Sequence, residues 1–241
     1  MKNIIITGSS GSLGVKLTKF FSKKKYNIIA VDNKKIDKKD KLSKVDYYTC
    51  DLSNQKSQKL LFNKIKKKYK KIDILLNVAG MIYNSLIIKR TYKNYKFHSY
   101  NKWKSVINAN LNTSFLTSIN CIKLMIENND SVIINFSSIS AKGNIGQVAY
   151  SSSKSAIETM TKVMSKELSV LNIRAVSIAP GYFNSQSTKK NMNEKELSKV
   201  ILRTPSRRIG NVDELVNLVD IVIKNKFING KTINIDGGLE L

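Results

Sequence analysis

The chain has 241 residues, of which 41% are hydrophobic, and a formal net charge of +25 at pH 7. This length is sufficient for a large core, and the apolar content excludes an intrinsically disordered chain. No apolar run approaches the roughly 20 residues that a membrane-spanning helix needs, and the first apolar run ends at Gly8, too early for a signal peptide. We therefore expect a soluble, cytoplasmic protein.

The positive charge comes almost entirely from lysine, because arginine occurs only at Arg90, Arg174, Arg203, Arg207 and Arg208. Arginine is the side chain preferred for bidentate contacts to phosphates and bases, so its scarcity argues against specific nucleic-acid binding. The two cysteines, Cys50 and Cys121, lack the spacing of metal ligands, so no metal site is predicted.

Seven short apolar runs predict β-strands, and amphipathic segments between them predict helices. The strands are expected at 2–7, 27–31, 45–50, 72–76, 131–136, 173–178 and 231–235; the helices are expected around 15–21, 60–65, 103–115, 150–168, 194–202 and 212–223. Ser53 is the predicted N-cap of the second helix. This alternation predicts an α/β fold in one domain, 1–241: a Rossmann-type, doubly wound parallel sheet with helices on both faces.

Residues 81–102 lack a clear period and follow the fourth strand. They form an enlarged loop beyond the carboxyl end of that strand, where ligands bind in such sheets. Two interpretations stay open for this loop: it shapes a substrate site, or it faces solvent or another subunit. His98, the only histidine, lies in it and is assigned no role.

The first strand leads into a loop with Gly8, Gly11 and Gly14, and then into a helix. Glycines allow a tight turn and close backbone approach, and the helix N-terminus offers free N–H groups to a pyrophosphate. Asp32, at the end of the second strand, can accept hydrogen bonds from ribose hydroxyls and would repel a 2′-phosphate, which favours NAD over NADP. Lysines follow it closely, at Lys34, Lys35, Lys38 and Lys39, and oppose that preference.

Tyr150 and Lys154 are four residues apart on a predicted helix, so they project from the same face. An ammonium beside a phenol favours the phenolate and lowers the pKa of the phenol toward neutrality. The pair is therefore a candidate proton-transfer device.

These motifs together resemble the short-chain dehydrogenase/reductase family over essentially the whole chain. The matching residues are Thr7-Gly8…Gly14, Asp51, Asn77-Val78-Ala79-Gly80, Asn110, Ser137-Ser138, Tyr150-x-x-x-Lys154, Pro180-Gly181 and Asp236-Gly237-Gly238. Short single-domain members such as 3-oxoacyl-carrier-protein reductases and polyol or sugar dehydrogenases are the most similar types.

The resemblance implies a cytoplasmic NAD(P)-dependent oxidoreductase that interconverts a secondary alcohol and a ketone. The implied catalytic residues are Asn110, Ser138, Tyr150 and Lys154, with Tyr150 as general acid/base. The implied cofactor-binding residues, for NAD or NADP, are Gly8, Ser10, Gly11, Ser12, Leu13, Gly14, Asp32, Asp51, Leu52, Asn77, Ala79, Gly80, Tyr150, Lys154, Pro180, Gly181 and Ser185. The resemblance also implies a homotetramer or homodimer, formed through the Trp103 and Tyr150 helices and the C-terminal segment.

The chain departs from the short members of the family at two residues and in the segment 81–102, which is several residues longer than usual. Ser12 replaces a glycine in the phosphate loop, which gives a Gly-x-x-Gly-x-x-Gly spacing seen in sugar-nucleotide-modifying members. Ser185 stands where a threonine is usual. Alternatives that stay open are a sugar or sugar-nucleotide reductase or epimerase, and a catalytically silent cofactor-binding scaffold; a 3-oxoacyl-carrier-protein substrate is disfavoured by the acidic or neutral sequence Glu127-Asn128-Asn129-Asp130.

Overall fold

The computed structural model describes residues 1–186, 188 and 192–241. Its central feature is a seven-stranded, wholly parallel sheet, which confirms the predicted Rossmann-type α/β fold. In chain order its strands are β1 (Lys2–Thr7), β2 (Tyr26–Asp32), β3 (Val45–Thr49), β4 (Ile74–Asn77), β7 (Ser131–Phe136), β8 (Ile173–Pro180) and β9 (Thr232–Ile235). Two further short strands, β5 (Ile88–Arg90) and β6 (Tyr95–Phe97), pair only with each other as an antiparallel hairpin.

The spatial order of the sheet is β3-β2-β1-β4-β7-β8-β9. The chain therefore moves outward from β1 to one edge, then returns to the centre and proceeds to the other edge. The order reverses between β1 and β4, which pair in parallel from Ile4 opposite Ile74. In open sheets of this kind, a crevice forms at such a switch point beyond the carboxyl ends of the strands.

Helices cover both faces of the sheet because buried strands expose alternate residues to opposite sides. The helices are α1 (Ser12–Ser22), α2 (Gln55–Tyr69), α3 (Tyr100–Ile107), α4 (Thr113–Ile122), α5 (Val148–Glu167), α6 (Glu194–Arg203) and α7 (Val212–Lys224). Ile4 packs in a cluster with residues of α1 and α7, whereas its neighbour Ile5 packs in a second cluster with residues of α2 and α4.

Two local predictions need correction. The N-cap of α2 is Asn54 and not Ser53, since the Asn54 side chain accepts a hydrogen bond from the Ser57 N–H and Ser53 bonds to Asp51 instead. The segment 81–102 is not wholly irregular, because the β5–β6 hairpin lies inside it. Among the residues described, no helix combines the length and apolarity needed to cross a membrane.

Candidate active site

A cleft of about 650 Å³ opens at the carboxyl ends of the central strands. Most of the residues implied by the resemblance line it. They are Gly8, Ser10, Gly11, Ser12, Leu13, Gly14, Asp32, Asp51, Leu52, Ala79, Gly80, Tyr150, Lys154, Pro180, Gly181 and Ser185. The sheet topology thus brings residues as far apart in sequence as Gly8 and Ser185 to the walls of one crevice.

The glycine-rich loop forms the floor at one end of the cleft. Gly8 has φ +65°, and a Cβ there would lie 2.8 Å from the Ala79 Cα. Helix α1 begins at Ser12, and within the described residues no side chain caps its N-terminus. The Ser10 hydroxyl is buried and has no hydrogen-bond partner among the described residues. Free helix N–H groups and an unpaired hydroxyl suit the pyrophosphate of a dinucleotide, so the loop fits an NAD(P) cofactor.

Asp32 ties the end of β2 to the glycine-rich loop. Its carboxylate accepts hydrogen bonds from the Ser10 N–H at 2.9 Å and the Lys34 N–H at 3.0 Å, one on each oxygen. A carboxylate oxygen can accept more than one hydrogen bond, so both oxygens retain capacity for ribose hydroxyls. Asp51 has a local role as well, since one of its oxygens accepts bonds from the N–H and hydroxyl of Ser53.

Asn77 is the one cofactor residue of the prediction that does not line the cleft. Its side chain is 2% exposed and donates to Asn135 Oδ1 at 2.8 Å and to Ser118 Oγ at 3.0 Å. Buried amides need such partners, and here they join β4, β7 and α4. The cleft wall after Asn77 is instead held by Thr7, whose hydroxyl accepts the N–H groups of Val78 and Ala79.

Tyr150 and Lys154 line the other end of the cleft, whereas Ser138 lies close to Tyr150 but not on the cleft wall. Burial raises the pKa of Tyr150, while a hydrogen bond from the Ser138 hydroxyl opposes that rise. Lys154 is buried, and burial lowers its pKa to about 8. Its Nζ donates to the Phe136 carbonyl at 2.6 Å and lies 5.6 Å from the Tyr150 ring centroid. The expected lowering of the Tyr150 pKa by Lys154 is therefore not seen, because desolvation dominates at both groups.

Asn110 lies behind these residues and not on the cleft wall. It occupies a single π-helical turn, Asn108–Asn112, between α3 and α4, and its side chain is fully buried. Its Oδ1 accepts the Met81 N–H at 2.7 Å, and its Nδ2 donates to the Met81 carbonyl and to Ser153 Oγ, each at 3.0 Å. A π turn inserted in a helix is a common feature of functional sites. Asn110 thus fixes the start of the segment 81–102 against α5.

Several cleft residues escaped the sequence analysis. They include Met81, Ile82, Thr113, Phe183, Thr188, Val212 and Leu215. Val212 and Leu215 follow the period of a core-facing helix, and Met81 and Ile82 lie in a segment without a clear period, so no sequence signal marks these residues as cleft residues. Thr188 is an exception: its hydroxyl lies 3.1 Å from Ser185 Oγ, and the prediction stopped at Ser185.

The lowered pKa of Lys154 predicts a stability change with pH. The unfolded chain binds a proton at Lys154 up to its ordinary pKa of 10.5, whereas the folded chain releases it near 8. The unfolded state therefore binds more protons at Lys154 between these values, and Lys154 should contribute a rise of about 3 kcal/mol in the free energy of unfolding from pH 8 to 10.5. Urea unfolding of wild type and Lys154→Met across this range measures the effect.

The difference in unfolding free energy between wild type and Lys154→Met should grow in favour of the wild type as the pH rises. Lys162→Met, at an exposed position of the same helix, serves as the control and should track the wild type. A constant difference between wild type and Lys154→Met would show that Lys154 keeps an ordinary pKa in the folded protein.

The family model for short chain dehydrogenases matches residues 2–196. The chain belongs to this family. Among curated relatives, the dehydrogenase is 30% identical to a 3-oxoacyl-[acyl-carrier-protein] reductase of Thermotoga maritima, over 99% of this chain and 97% of that protein. A reductase of the same name from Rickettsia conorii is 32% identical, over 99% of this chain and 96% of that protein.

Two solved structures share the fold of the dehydrogenase over nearly all of its length. A 4-hydroxyisoleucine dehydrogenase complexed with NADH has a TM-score of 0.88 at 27% identity, covering 99% of this chain and 98% of the other. The aldohexose dehydrogenase of Thermoplasma acidophilum has a TM-score of 0.86 at 25% identity, covering 99% and 93%. The chain is accordingly an NAD(P)-dependent oxidoreductase that interconverts an alcohol and a ketone, which confirms the prediction from the sequence.

Proposed function

We propose that the Tyr150 hydroxyl is the general acid and base of this reaction. The supporting observation is that Tyr150 and Lys154 line the same end of the cleft, with Ser138 close enough to Tyr150 to oppose the rise of its pKa. Tyr150 donates its proton to the substrate oxygen during reduction and takes it back during oxidation. Ser138 donates a hydrogen bond to the same oxygen and holds it beside the phenol. The raised pKa of Tyr150 keeps its proton on at neutral pH, which suits ketone reduction.

Lys154 and Asn110 support this proton transfer. Lys154 lies close enough to the cleft to hydrogen-bond a nicotinamide ribose, and its charge then stabilises negative charge that develops on Tyr150. Asn110 keeps a water in a proton relay behind Lys154; a Cβ on Gly80 would meet Asn110 Oδ1 at 2.8 Å and Lys154 Nζ at 3.7 Å, so the two groups are neighbours. A bound nicotinamide supplies or accepts the hydride.

NAD is the preferred cofactor in this proposal. The Asp32 carboxylate accepts the ribose hydroxyls and repels a 2′-phosphate. The substrate is a ketone or secondary alcohol, and two candidate classes have support from relatives: 3-oxoacyl chains at 30–32% identity and aldohexoses at 25%. We favour the 3-oxoacyl chain, because Asp130, one of the acidic residues that disfavoured it, is paired with Lys2 and Lys226.

A panel of carbonyl compounds tests this function. Sugars and 3-oxoacyl thioesters of a small thiol are offered with NADH and with NADPH, and the nicotinamide absorbance is followed. We expect turnover of a 3-oxoacyl thioester and a higher kcat/KM with NADH than with NADPH. The variant Asp32→Asn should lower the ratio of kcat/KM for NADH to kcat/KM for NADPH by about tenfold. Turnover of sugars alone would contradict the substrate class, and a much higher kcat/KM with NADPH would contradict the cofactor preference.

We also propose that the enzyme assembles as a homodimer or homotetramer through α3, α4 and α5. Large apolar side chains stay exposed on these helices, among them Phe115 at 47% and Val163 at 46%. Such residues are typical of subunit interfaces. Light scattering should give a mass of two or four chains for the wild type and a lower mass for Phe115→Ser/Val163→Ser. A monomeric wild type would disprove the assembly.

A further inference from the structure

The β5–β6 hairpin carries a surface that the active site does not use. We call residues 86–97 the hairpin surface. In the hairpin register Ile88 lies opposite Phe97, Lys89 opposite Lys96 and Arg90 opposite Tyr95. Residues directly opposite share a face, so one face presents Ile88, Arg90, Tyr95 and Phe97, and the other presents the two lysines.

Both faces of the hairpin surface are open to solvent. Tyr92 is 99% exposed, Phe97 68%, and Tyr95 and Ile87 each 61%. An isolated two-stranded hairpin is only marginally stable in water, and like charges directly opposite each other destabilise it further. Exposed aromatic side chains clustered in this way are typical of residues that anchor a protein–protein contact. The arrangement is typical of a surface that a binding partner covers.

The charge of the hairpin surface selects the partner. Between Asp73 and Glu127 the sequence contains no acidic residue, and the hairpin surface itself carries the basic residues Lys89, Arg90, Lys93 and Lys96. None of these cations takes part in an ion pair within the described part of the chain. Complementary charge therefore requires an acidic partner, and it disfavours a second copy of this chain, whose net charge is +25.

The hairpin surface is attached to the active site at its base. The Ser85 N–H donates to the Gly146 carbonyl at 2.7 Å, and Gln147 Nε2 donates to Asn84 Oδ1 at 3.0 Å. Gln147 is the residue that precedes α5, the helix of Tyr150. Met81 and Ile82, shortly before the hairpin, line the cleft. A partner held on the hairpin surface is thus placed beside the entrance to the catalytic residues.

We propose that the hairpin surface docks an acidic carrier protein that presents the substrate to the cleft. This inference rests on the proposed function, and it adds the place at which the carrier binds. A carrier contributes carboxylates to the two lysines and apolar side chains to the aromatic face. Aliphatic residues such as Ile87 and Ile88 pack against protein side chains and do not stack on bases, which favours a protein over single-stranded nucleic acid.

Binding of a fluorescently labelled acidic acyl carrier protein to the full-length enzyme tests the proposal, with a single-stranded RNA oligonucleotide as the competing probe. The variant Lys89→Glu/Lys96→Glu keeps a like-charge pair in the hairpin, so the hairpin fold is equally favoured. The control Lys56→Glu/Lys59→Glu makes the same change in net charge on the exposed face of α2. We expect the hairpin variant to weaken carrier binding by about tenfold or more and the control by less than about threefold.

Tyr95→Ser/Phe97→Ser should weaken binding in the same way without changing the net charge. Equal weakening by the hairpin and control variants would overturn the proposal, because the attraction would then be unspecific. Binding of the RNA probe in place of the carrier protein would overturn it too, as would a wild type that does not bind the carrier. These outcomes are read from binding and not from turnover.

Kinetics separate this proposal from the proposed function. The hairpin variants should raise KM for a 3-oxoacyl chain on the carrier protein, and leave kcat/KM for the same chain on a small thiol unchanged. A wild type that reduces neither substrate would contradict the proposed function, whereas an equal loss on both substrates in the variants would contradict docking at the hairpin surface.

Discussion

Replacing Tyr150 by phenylalanine should lower kcat by about 10²–10⁴-fold, the usual contribution of a general acid, while the Kd for NADH stays near that of the wild type. The ring is retained, so its packing persists and only the hydroxyl is lost. Stopped-flow or steady-state reduction of the best ketone from the panel measures kcat, and quenching or enhancement of NADH fluorescence measures binding.

Tyr182→Phe is the matched control for this experiment. Tyr182 lies close enough to Tyr150 to raise the pKa of Tyr150 by charge repulsion, so its replacement also removes a phenol hydroxyl in the neighbourhood of Tyr150. We expect its kcat to remain within a few-fold of the wild type. A Tyr150→Phe enzyme with nearly normal kcat would remove Tyr150 from the proton transfer, and an equal loss in both variants would indicate a shared effect on packing.

Gly14→Ala should both destabilise the fold and weaken cofactor binding. A Cβ at this position would overlap the Gly8 carbonyl oxygen and lie 2.7 Å from the Ser9 Cα, both of which are backbone atoms of the phosphate loop. Overpacking against rigid backbone should lower the free energy of unfolding by about 2 to 4 kcal/mol, or the Tm by about 5–10 °C. The Kd for NADH should rise about 100-fold, which corresponds to about 3 kcal/mol.

Gly11→Ala distinguishes a damaged fold from a damaged phosphate site. Gly11 has φ −74° and ψ 163°, which any residue adopts, and its added Cβ would meet only the Gly8 carbonyl oxygen, at 3.3 Å. Its Tm should therefore stay close to that of the wild type. If Gly14→Ala melts and binds NADH like the wild type, the close approach of α1 to the glycine loop has no role in either property.

The sheet was predictable because its strands are short apolar runs with strong local signals. The run Ile4–Ile6 is buried completely, and Gly8 follows it after one residue, so the sequence predicts both the strand and the turn after it. The sequence likewise predicted that Tyr150 and Lys154 lie together, since the period of a helix places them on one face. These features depend on neighbours in sequence.

Other features depend on contacts distant in sequence, and they escaped prediction. Asn77 immediately precedes the cleft-wall residues Val78, Ala79 and Gly80. Its hydrogen-bond partner Asn135, however, lies 58 residues away in sequence and holds the Asn77 side chain in the core. The π turn around Asn110 depends on Met81, across 29 residues. The pKa of Lys154 is set by how deeply the folded chain buries it, a quantity that the spacing to Tyr150 does not contain.

The closed base of the hairpin allows the hairpin to change in sequence and length during evolution. The His98 N–H donates to the Ile87 carbonyl at 2.9 Å, so the chain leaves and re-enters the body of the protein at nearly the same point. Loop length then adds little to the entropy cost of folding. The residues between these ends can lengthen, shorten or be exchanged for another sequence without shifting a strand of the main sheet. Recognition and chemistry thus occupy separable modules, and the hairpin can diverge while the Tyr150 site stays unchanged.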